Sequence, residues 1–445
     1  MTKHDALSRR RFLGSVVCAT GAGLTAPYFV QASSLGLGGA TPPSDRIVMA
    51  SIGSGGKGRH NTGEFLKIAN VQFVAVCDVD QDHALQDKQQ IDTHYNHNDC
   101  RRYGDFRELL TTEKLDAVHV STPDHWHALA SIAAIRAGCD VYCEKPLANS
   151  VGEAMAIRDV AKHHRRIVQT GSHERSNSKI RFAAELARSG RLGEIKTIEV
   201  NMPCGDEAHH KDVLAFKGIP EAMPVPAGLD WNLWLGHTAD VPYHERRSHF
   251  WWRFILSFGG GEMSDRGAHI IDIAQLALGM DHAGPVTIKA QGTRHPENLY
   301  DAFMDYDFEC TYENGVKLIG ANREPRGLKI IGGAGWVFVH IHGGELEAEP
   351  RGLLEAQDLE IDLGRSPGHH QNFVDCIASR AAPIADAEIG CRTATVCHLT
   401  NIAMLLNRPI QWDPQLEIIN GDDEATKLLW PTLREPWNQA SFRRP

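Results

Sequence analysis

No CxxC pair, internal repeat or low-complexity tract occurs in the 445 residues, and no apolar run is long enough to remain in a bilayer. Each absence excludes something. Ten cysteines without paired spacing make neither a zinc ribbon nor a small disulfide scaffold. Several stand in apolar runs, Cys77 in "FVAVC" and Cys143 in "DVYC", and read as buried thiols formed in a reducing compartment. Positive charge is also short. The 46 Lys and Arg face 56 Asp and Glu, and a net charge of −10 makes nucleic acid a poor partner. Aromatic residues are only 7% of the chain, so a local concentration of them is a signal. What remains is 42% hydrophobic residues, enough at this length for about two or three globular domains.

Charge is missing altogether from Phe12 to Ser44, directly behind Lys3, Arg9, Arg10 and Arg11. The run Ser8-Arg9-Arg10-Arg11-Phe12-Leu13 matches a twin-arginine signal, with a basic disordered tail as the alternative. Val30-Gln31-Ala32 offers a small-x-small cleavage site. Residues 1–32 are therefore expected to be a signal peptide removed near Ala32, with residues 33–44 a linker. The expected destination is the periplasm, reached through the twin-arginine export machinery and with no stable membrane span. Removal takes away four Lys/Arg and one Asp, moving the net charge from −10 to −13.

From residue 45 to about 170, short Val/Ile-rich runs alternate with helical patterns: "RIVMASI", "VQFVAVCD", "DAVHVST", "CDVYCEK" and "RIVQTG". Continuous apolar runs are what strands buried on both faces look like, so the pattern predicts a doubly wound parallel sheet. Between them "HALASIAAIRAG" and "VGEAMAIRDVAKHH" have helical spacing. From 171 to 445 the texture changes. Gly/Pro-rich loops at 202–262 precede alternating segments in which Asn314-Gly315 marks a hairpin, and helices are expected at 371–379 and 388–407. The fold class is α/β, a parallel-sheet domain followed by a substrate and oligomerisation domain with a large open, mainly antiparallel or mixed sheet.

Gly53-Ser54-Gly55-Gly56-Lys57-Gly58 is GxGxxG between the first strand and a helix expected to open near Arg59. Gly53 permits the tight turn, Gly55 lets backbone amides approach a pyrophosphate, and Gly58 lets the helix pack close. Asp78 follows twenty residues after Gly58, where an acid accepts from ribose hydroxyls and repels a 2′-phosphate. The first domain is thus expected to be a Rossmann domain binding NAD rather than NADP. "STPDHWHA" places Thr122, Pro123 and His127 at the carboxyl end of the fourth strand. "CEKPLANS" places Glu144 and Lys145 at the end of the fifth, where Lys145 can exchange a proton with a substrate hydroxyl and a structural Glu144/Lys145 ion pair is the alternative.

In "GGGEMSDRGAHIIDIAQLALGMD", Asp265, His269 and Asp272 fall at i, i+4 and i+7, on one helical stripe. His269 suits a general base, with Asp265 orienting it or Lys145. The stripe could also hold a metal, but the spacing of His125 and His127 and the lack of an HxxxH pair favour none.

The combination of "IGSGGKG", "STPDHWHA", "CEKPLANS" and "GGGEMSDRGAHIID" resembles the Gfo/Idh/MocA family of NAD(P)-dependent sugar and polyol oxidoreductases, in its exported bacterial branch. The resemblance covers essentially the whole chain after residue 32. It implies Lys145, Asp265 and His269 as the catalytic set, a sugar or sugar derivative as substrate and a homo-oligomer. Export implies a tightly held cofactor recycled in place. An NAD-dependent glycosidase that oxidises its sugar only transiently is the alternative, although that branch usually lacks the lysine. A sugar-binding member without catalysis is a further one.

Four of nine tryptophans fall between 231 and 252. Such loop aromatics stack on sugar rings, fill a core or face a subunit with about equal expectation. Tyr243, His244 and Arg253 beside them, and His173 and Arg175 after the sixth strand, are the candidate substrate contacts. His340 and His342 are less informative.

Overall fold

A computed structural model describes residues 42–204, 207–357 and 359–442, so the expected signal peptide lies outside the described residues. Six strands, β1 (Ile47–Ile52), β2 (Val71–Cys77), β3 (Arg101–Tyr103), β4 (Ala117–Val120), β5 (Asp140–Cys143) and β6 (Val168–Thr170), form a parallel sheet in the order β3-β2-β1-β4-β5-β6. The five apolar runs are strands as expected. β3 is "RRY" on the edge, exposed and without the apolar pattern that would announce it. Strand order reverses between β1 and β4, which opens a crevice at their carboxyl ends.

The glycine-rich turn sits in that crevice because side chains do not fit. A Cβ on Gly53, whose φ is +90°, would stand 2.6 Å from the backbone of Ser121 and Thr122, and one on Gly58 would stand 2.0 Å from Gly53 O. The helix opens at Gly56, three residues before the expected start, because Gly56 and Lys57 already take helical geometry.

The second sheet holds nine strands: β7 (Ile195–Asn201), β8 (Thr287–Thr293), β9 (Asp305–Thr311), β10 (Lys317–Ala321), β11 (Gly327–Gly332), β12 (Gly335–His340), β13 (Leu346–Glu349), β14 (Ile410–Asp413) and β15 (Ile418–Ile419). Their order is β13-β12-β11-β7-β10-β9-β8-β14-β15, antiparallel except where β7 meets β10. The β9–β10 hairpin turns at Asn314-Gly315 as expected, with Gly315 at φ +82°. One face buries Ile198, Phe308, Leu318 and Val337 against helices Ser178–Arg188, Gly267–Leu278 and Ala387–Leu406. The opposite face carries polar pairs, among them Lys317–Glu309 at 3.0 Å.

The two sheets are separate, but their cores are not. Helix His369–Ser379 sends Phe373 back into the first domain, 6.0 Å from Phe65 and 5.8 Å from Tyr142 between ring centroids. Thr170 N donates to Ala385 O at 2.7 Å, and helix Ala387–Leu406 packs on helix Val151–His164. Nine described cysteines are free, eight buried and Cys204 half-buried. Among the described residues no helix is long and apolar enough to cross a membrane.

The loop aromatics settle mostly on packing. Trp231 and Trp234 stack at 4.6 Å, and both are buried with Tyr243, Trp252, Phe254 and Phe258. Burying roughly 200 Å² of indole at about 25 cal/mol per Å² gives about 5 kcal/mol per ring, a gain available without any ligand.

Helix Val151–His164 opens on a Ser150/Glu153 capping pair, in which Ser150 Oγ accepts from Glu153 N at 3.3 Å and donates to Glu153 Oε2 at 2.8 Å. Glu153 is 1% exposed and lies 3.5 Å from buried His237. Burial raises its carboxyl to about 8, against the Ser150 hydrogen bond, while burial and Arg434 lower His237 to about 4. Folded protein then keeps a proton that the unfolded chain releases above 4.5, so the Glu153 contribution to stability falls as pH rises from there toward 8. Glu153→Gln is expected to remove this slope. Thermal unfolding from about pH 5 to 8 should show the variant's advantage growing with pH; a constant difference would refute the neutral assignment.

Candidate active site

A cavity of about 770 Å³ runs along the carboxyl end of the first sheet and under the loops of the second domain. Its size suits a dinucleotide end and a small substrate together. Gly53, Gly55 and Gly56 form one end, and a Cβ on Gly55 would meet only the His83 ring at 3.9 Å, so backbone amides there are open to a ligand. Gly58 lies behind the turn, as the packing glycine. These are the features a pyrophosphate needs, and the residues present fit NAD.

Asp78 stands after β2 on the cavity wall. Its Oδ2 accepts from Ser54 N at 2.7 Å and its Oδ1 from Asp80 N at 2.9 Å, which ties the acid to the turn. Burial pushes its carboxyl up, opposed by those two N–H donors and by His83.

Thr122 and Pro123 line the crevice after β4. His127, 1% exposed, stands 2.7 Å from Pro146 O and 3.0 Å from Thr122 O, so it joins the two crevice loops. Glu144 accepts from Asn61 Nδ2 at 2.9 Å and pairs with Lys57 at 3.3 Å. Burial opposes its charge, but Lys57, Asn61 and Lys145 prevail and hold the carboxyl at about 2. The partner of Glu144 is thus Lys57 on the glycine-rich turn.

Lys145 Nζ reaches across to the second domain, donating to Asp265 Oδ1 at 2.5 Å and to Asp265 O at 3.0 Å. Asp265 therefore orients Lys145, the second of its two expected partners. Burial works against the Asp265 charge, yet Lys145 and Arg253 bring its carboxyl well below the usual range. His269 stands one turn further on, 6% exposed, with its ring 4.9 Å from both His173 and His342. Burial, then the charges of Lys145, His173 and His342, keep it a neutral imidazole.

Of the expected substrate contacts, His173 and Arg253 line the cavity, the latter with its guanidinium 4.5 Å from the Trp252 ring centroid. Three are corrected. Arg175 is 2% exposed and donates to Asp272 Oδ2 and Asp281 Oδ1, both at 2.7 Å, because Asp272, buried on helix Gly267–Leu278, requires a cation. Asp272 is for the same reason structural, although it shares the stripe. Tyr243 is buried edge-on against Trp231 at 5.2 Å, and His244 Nδ1 accepts from Arg246 N at 3.0 Å, capping a 3₁₀ turn. Neither lies on the cavity wall, although Trp234, Phe250 and Trp252 of the same segment do.

Other lining residues escaped the sequence reading. Asp124, next to the recognised Thr122-Pro123, is 4% exposed, and burial plus the Asp265 charge push its carboxyl well above the ordinary range. Lys57 was visible inside GxGxxG but had no partner assigned. His342, from the β12–β13 connection, joins the site from 168 residues beyond Glu174, and nothing local marks it.

The family models agree with this arrangement. One, the oxidoreductase family's NAD-binding Rossmann fold, matches residues 47–172, and another, its C-terminal alpha/beta domain, matches residues 176–439. A levoglucosan dehydrogenase from Pseudarthrobacter phenanthrenivorans is 26% identical over 187 residues, 40% of this chain and 39% of that protein. A glycosyl hydrolase family 109 protein from Shewanella baltica is 25% identical over 207 residues, 42% and 44% of the two. The chain thus spans less than half the length of these relatives. The solved WlbA dehydrogenase from Bordetella pertussis, in complex with NADH and UDP-GlcNAcA, shares the fold with a TM-score of 0.61 at 15% identity, covering 83% of this chain and 99% of that one. With both its halves matched in order, the chain belongs to the Gfo/Idh/MocA oxidoreductase family, an NAD-binding Rossmann domain followed by that family's C-terminal α/β domain.

Proposed function

We propose that the protein is an NAD-dependent oxidoreductase moving hydride between a CH–OH carbon of a sugar or sugar derivative and a tightly held cofactor. The observation that carries this is Lys145 Nζ at 2.5 Å from Asp265, beside His269, in the cavity that also contains the glycine-rich turn. Bound NAD would accept and return the hydride. The side chains do the rest. Asp265 and its carbonyl fix the Lys145 ammonium, whose remaining N–H can bond the reacting oxygen. His269, as a neutral imidazole, can take the hydroxyl proton. Lys57, held by Glu144, adds positive charge at the turn where phosphates are expected, and Asp78 disfavours a 2′-phosphate.

Transient oxidation with glycoside cleavage is the second reading, supported by the relatives named glycosyl hydrolase family 109. Lys145→Ala is expected to lower the rate of hydride transfer about 10²- to 10⁴-fold with NAD still bound. Stopped-flow absorbance at the NADH band checks it, and wild-type turnover in the variant would sink the assignment of Lys145. Aglycone release with no net NADH across a glycoside panel would favour the second reading.

We further infer export through the twin-arginine route with NAD already inside, since that route carries folded proteins. Arg9-Arg10, directly behind Ser8, and the buried free thiols support this. Denaturing the purified mature protein is expected to release NAD stoichiometrically, and replacing Arg9 and Arg10 by Lys should retain the chain in the cytosol. A protein that needs added NAD at every turnover would overturn the cofactor part; unaltered export of the double variant would overturn the route.

A further inference from the structure

Three groups of histidine and acid side chains among the described residues converge closely enough to share an ion: Asp80/His83/His249, His209/His210/Glu262 and His173/Glu174/His342. The first two have other commitments. Asp80 Oδ1 accepts from Asp82 N and His83 N as a helix cap. Glu262 pairs with Arg266 at 2.7 Å, and a guanidinium in contact repels a cation.

The third group differs. Its donor atoms lie within 4.8 Å of one another. His342 Nδ1 is 2.9 Å and His173 Nε2 3.5 Å from the same oxygen, Glu174 Oε1. For an ion about 2.1 Å from each donor, those separations subtend angles of about 90° and 110°, between octahedral and tetrahedral values. Glu174 is 3% exposed. His342 adopts left-handed backbone, φ +68°, so glycine is accommodated there as readily as histidine.

His269 supplies an independent observation. Its ring packs against both imidazoles at 4.9 Å, and its buried Nδ1 has no hydrogen-bond partner. A water carried by an ion beside it would satisfy that nitrogen. Lys145 and Lys57 bring positive charge to this end of the cavity, and Glu174, Glu144 and Asp265 bring negative charge.

We propose that His173, Glu174 and His342 bind a divalent transition-metal ion at the wall of the cavity. Two imidazoles and one carboxylate suit zinc, cobalt or manganese, whereas magnesium and calcium prefer oxygen ligands. His173 and His342 line the cavity, so the ion's open positions face it, and an oxygen of a bound molecule completes the shell. The expectation of no metal was drawn from spacings within single segments; this set joins residues 168 positions apart. The site goes beyond the oxidoreductase reading and stands or falls without it.

The test uses metal alone on the purified, chelator-stripped protein. Cobalt(II) is expected to bind with one-to-one saturation and a visible ligand-field band, to be displaced by zinc(II) and not by magnesium. Glu174→Gln and His342→Gly are expected to weaken cobalt binding about tenfold or more. Glycine suits the left-handed position, so the second variant keeps its fold, as circular dichroism would verify. Absence of saturable cobalt binding by the wild type overturns the proposal. Unchanged affinity in the folded His342→Gly variant also overturns it, because the ion would then sit elsewhere.

Discussion

A lysine ammonium and an aspartate carboxylate drawn out of water must satisfy each other, and Lys145 and Asp265 do so at 14% and 28% side-chain exposure across the crevice between the two sheets. The contact joins residues 120 positions apart. Lys145 sits where β5 ends, and Asp265 sits where a short helix, Gly261–Asp265, gives way to Gly267–Leu278. Neither strand end nor helix break can shift without uncovering a charge, so the pair fixes the spacing of the two halves at the site. Arg253, 3.8 Å from the same carboxylate, holds the loop segment to this point as well.

The cofactor side is clamped from beneath by a buried polar network. Asp87 Oδ2 accepts from Ser51 at 2.8 Å, Ser54 at 3.0 Å and Thr62 at 3.2 Å; Thr62 meets His119 at 3.0 Å, and His119 meets Ser121 at 3.1 Å. Burial raises the Asp87 carboxyl and the three hydroxyls pull it back. Such a network tolerates little displacement, since any lost partner leaves a buried polar atom unmet. The glycine-rich turn above it and the Ser121–Pro123 segment are thereby held in one arrangement before any ligand arrives.

What could be read from the residues alone follows from how local each signal is. The first sheet was legible because strands buried on both faces are continuous apolar runs, and the glycine turn because its geometry excludes side chains. Lys145, Asp265 and His269 were legible because each sits inside a short motif at an element end. β3 was not, being a polar edge strand. Arg175 misled because a cation after a strand looks the same in sequence whether it meets a ligand or structural carboxylates such as Asp272 and Asp281. Tyr243 misled for the corresponding apolar reason. His342 and the partnership of Lys57 with Glu144 needed the tertiary fold, since no spacing links them.

The distribution of charge in the cavity bears on what it accepts. Burial opposes ionisation at both Asp124 and Asp265, yet the two are shifted in opposite directions. Asp265 has Lys145 and Arg253 to offset the cost, whereas Asp124 also feels the Asp265 charge, which pushes its carboxyl further up. The ionised groups are largely met within the protein: Lys57 by Glu144, Lys145 and Arg253 by Asp265, Arg266 by Glu262 and Arg326 by Glu207. The charges in the cavity are thus mostly met by side chains of opposite sign, and a ligand hydroxyl can accept from their remaining N–H groups or donate to the outer carboxylate oxygens while each pair stays intact.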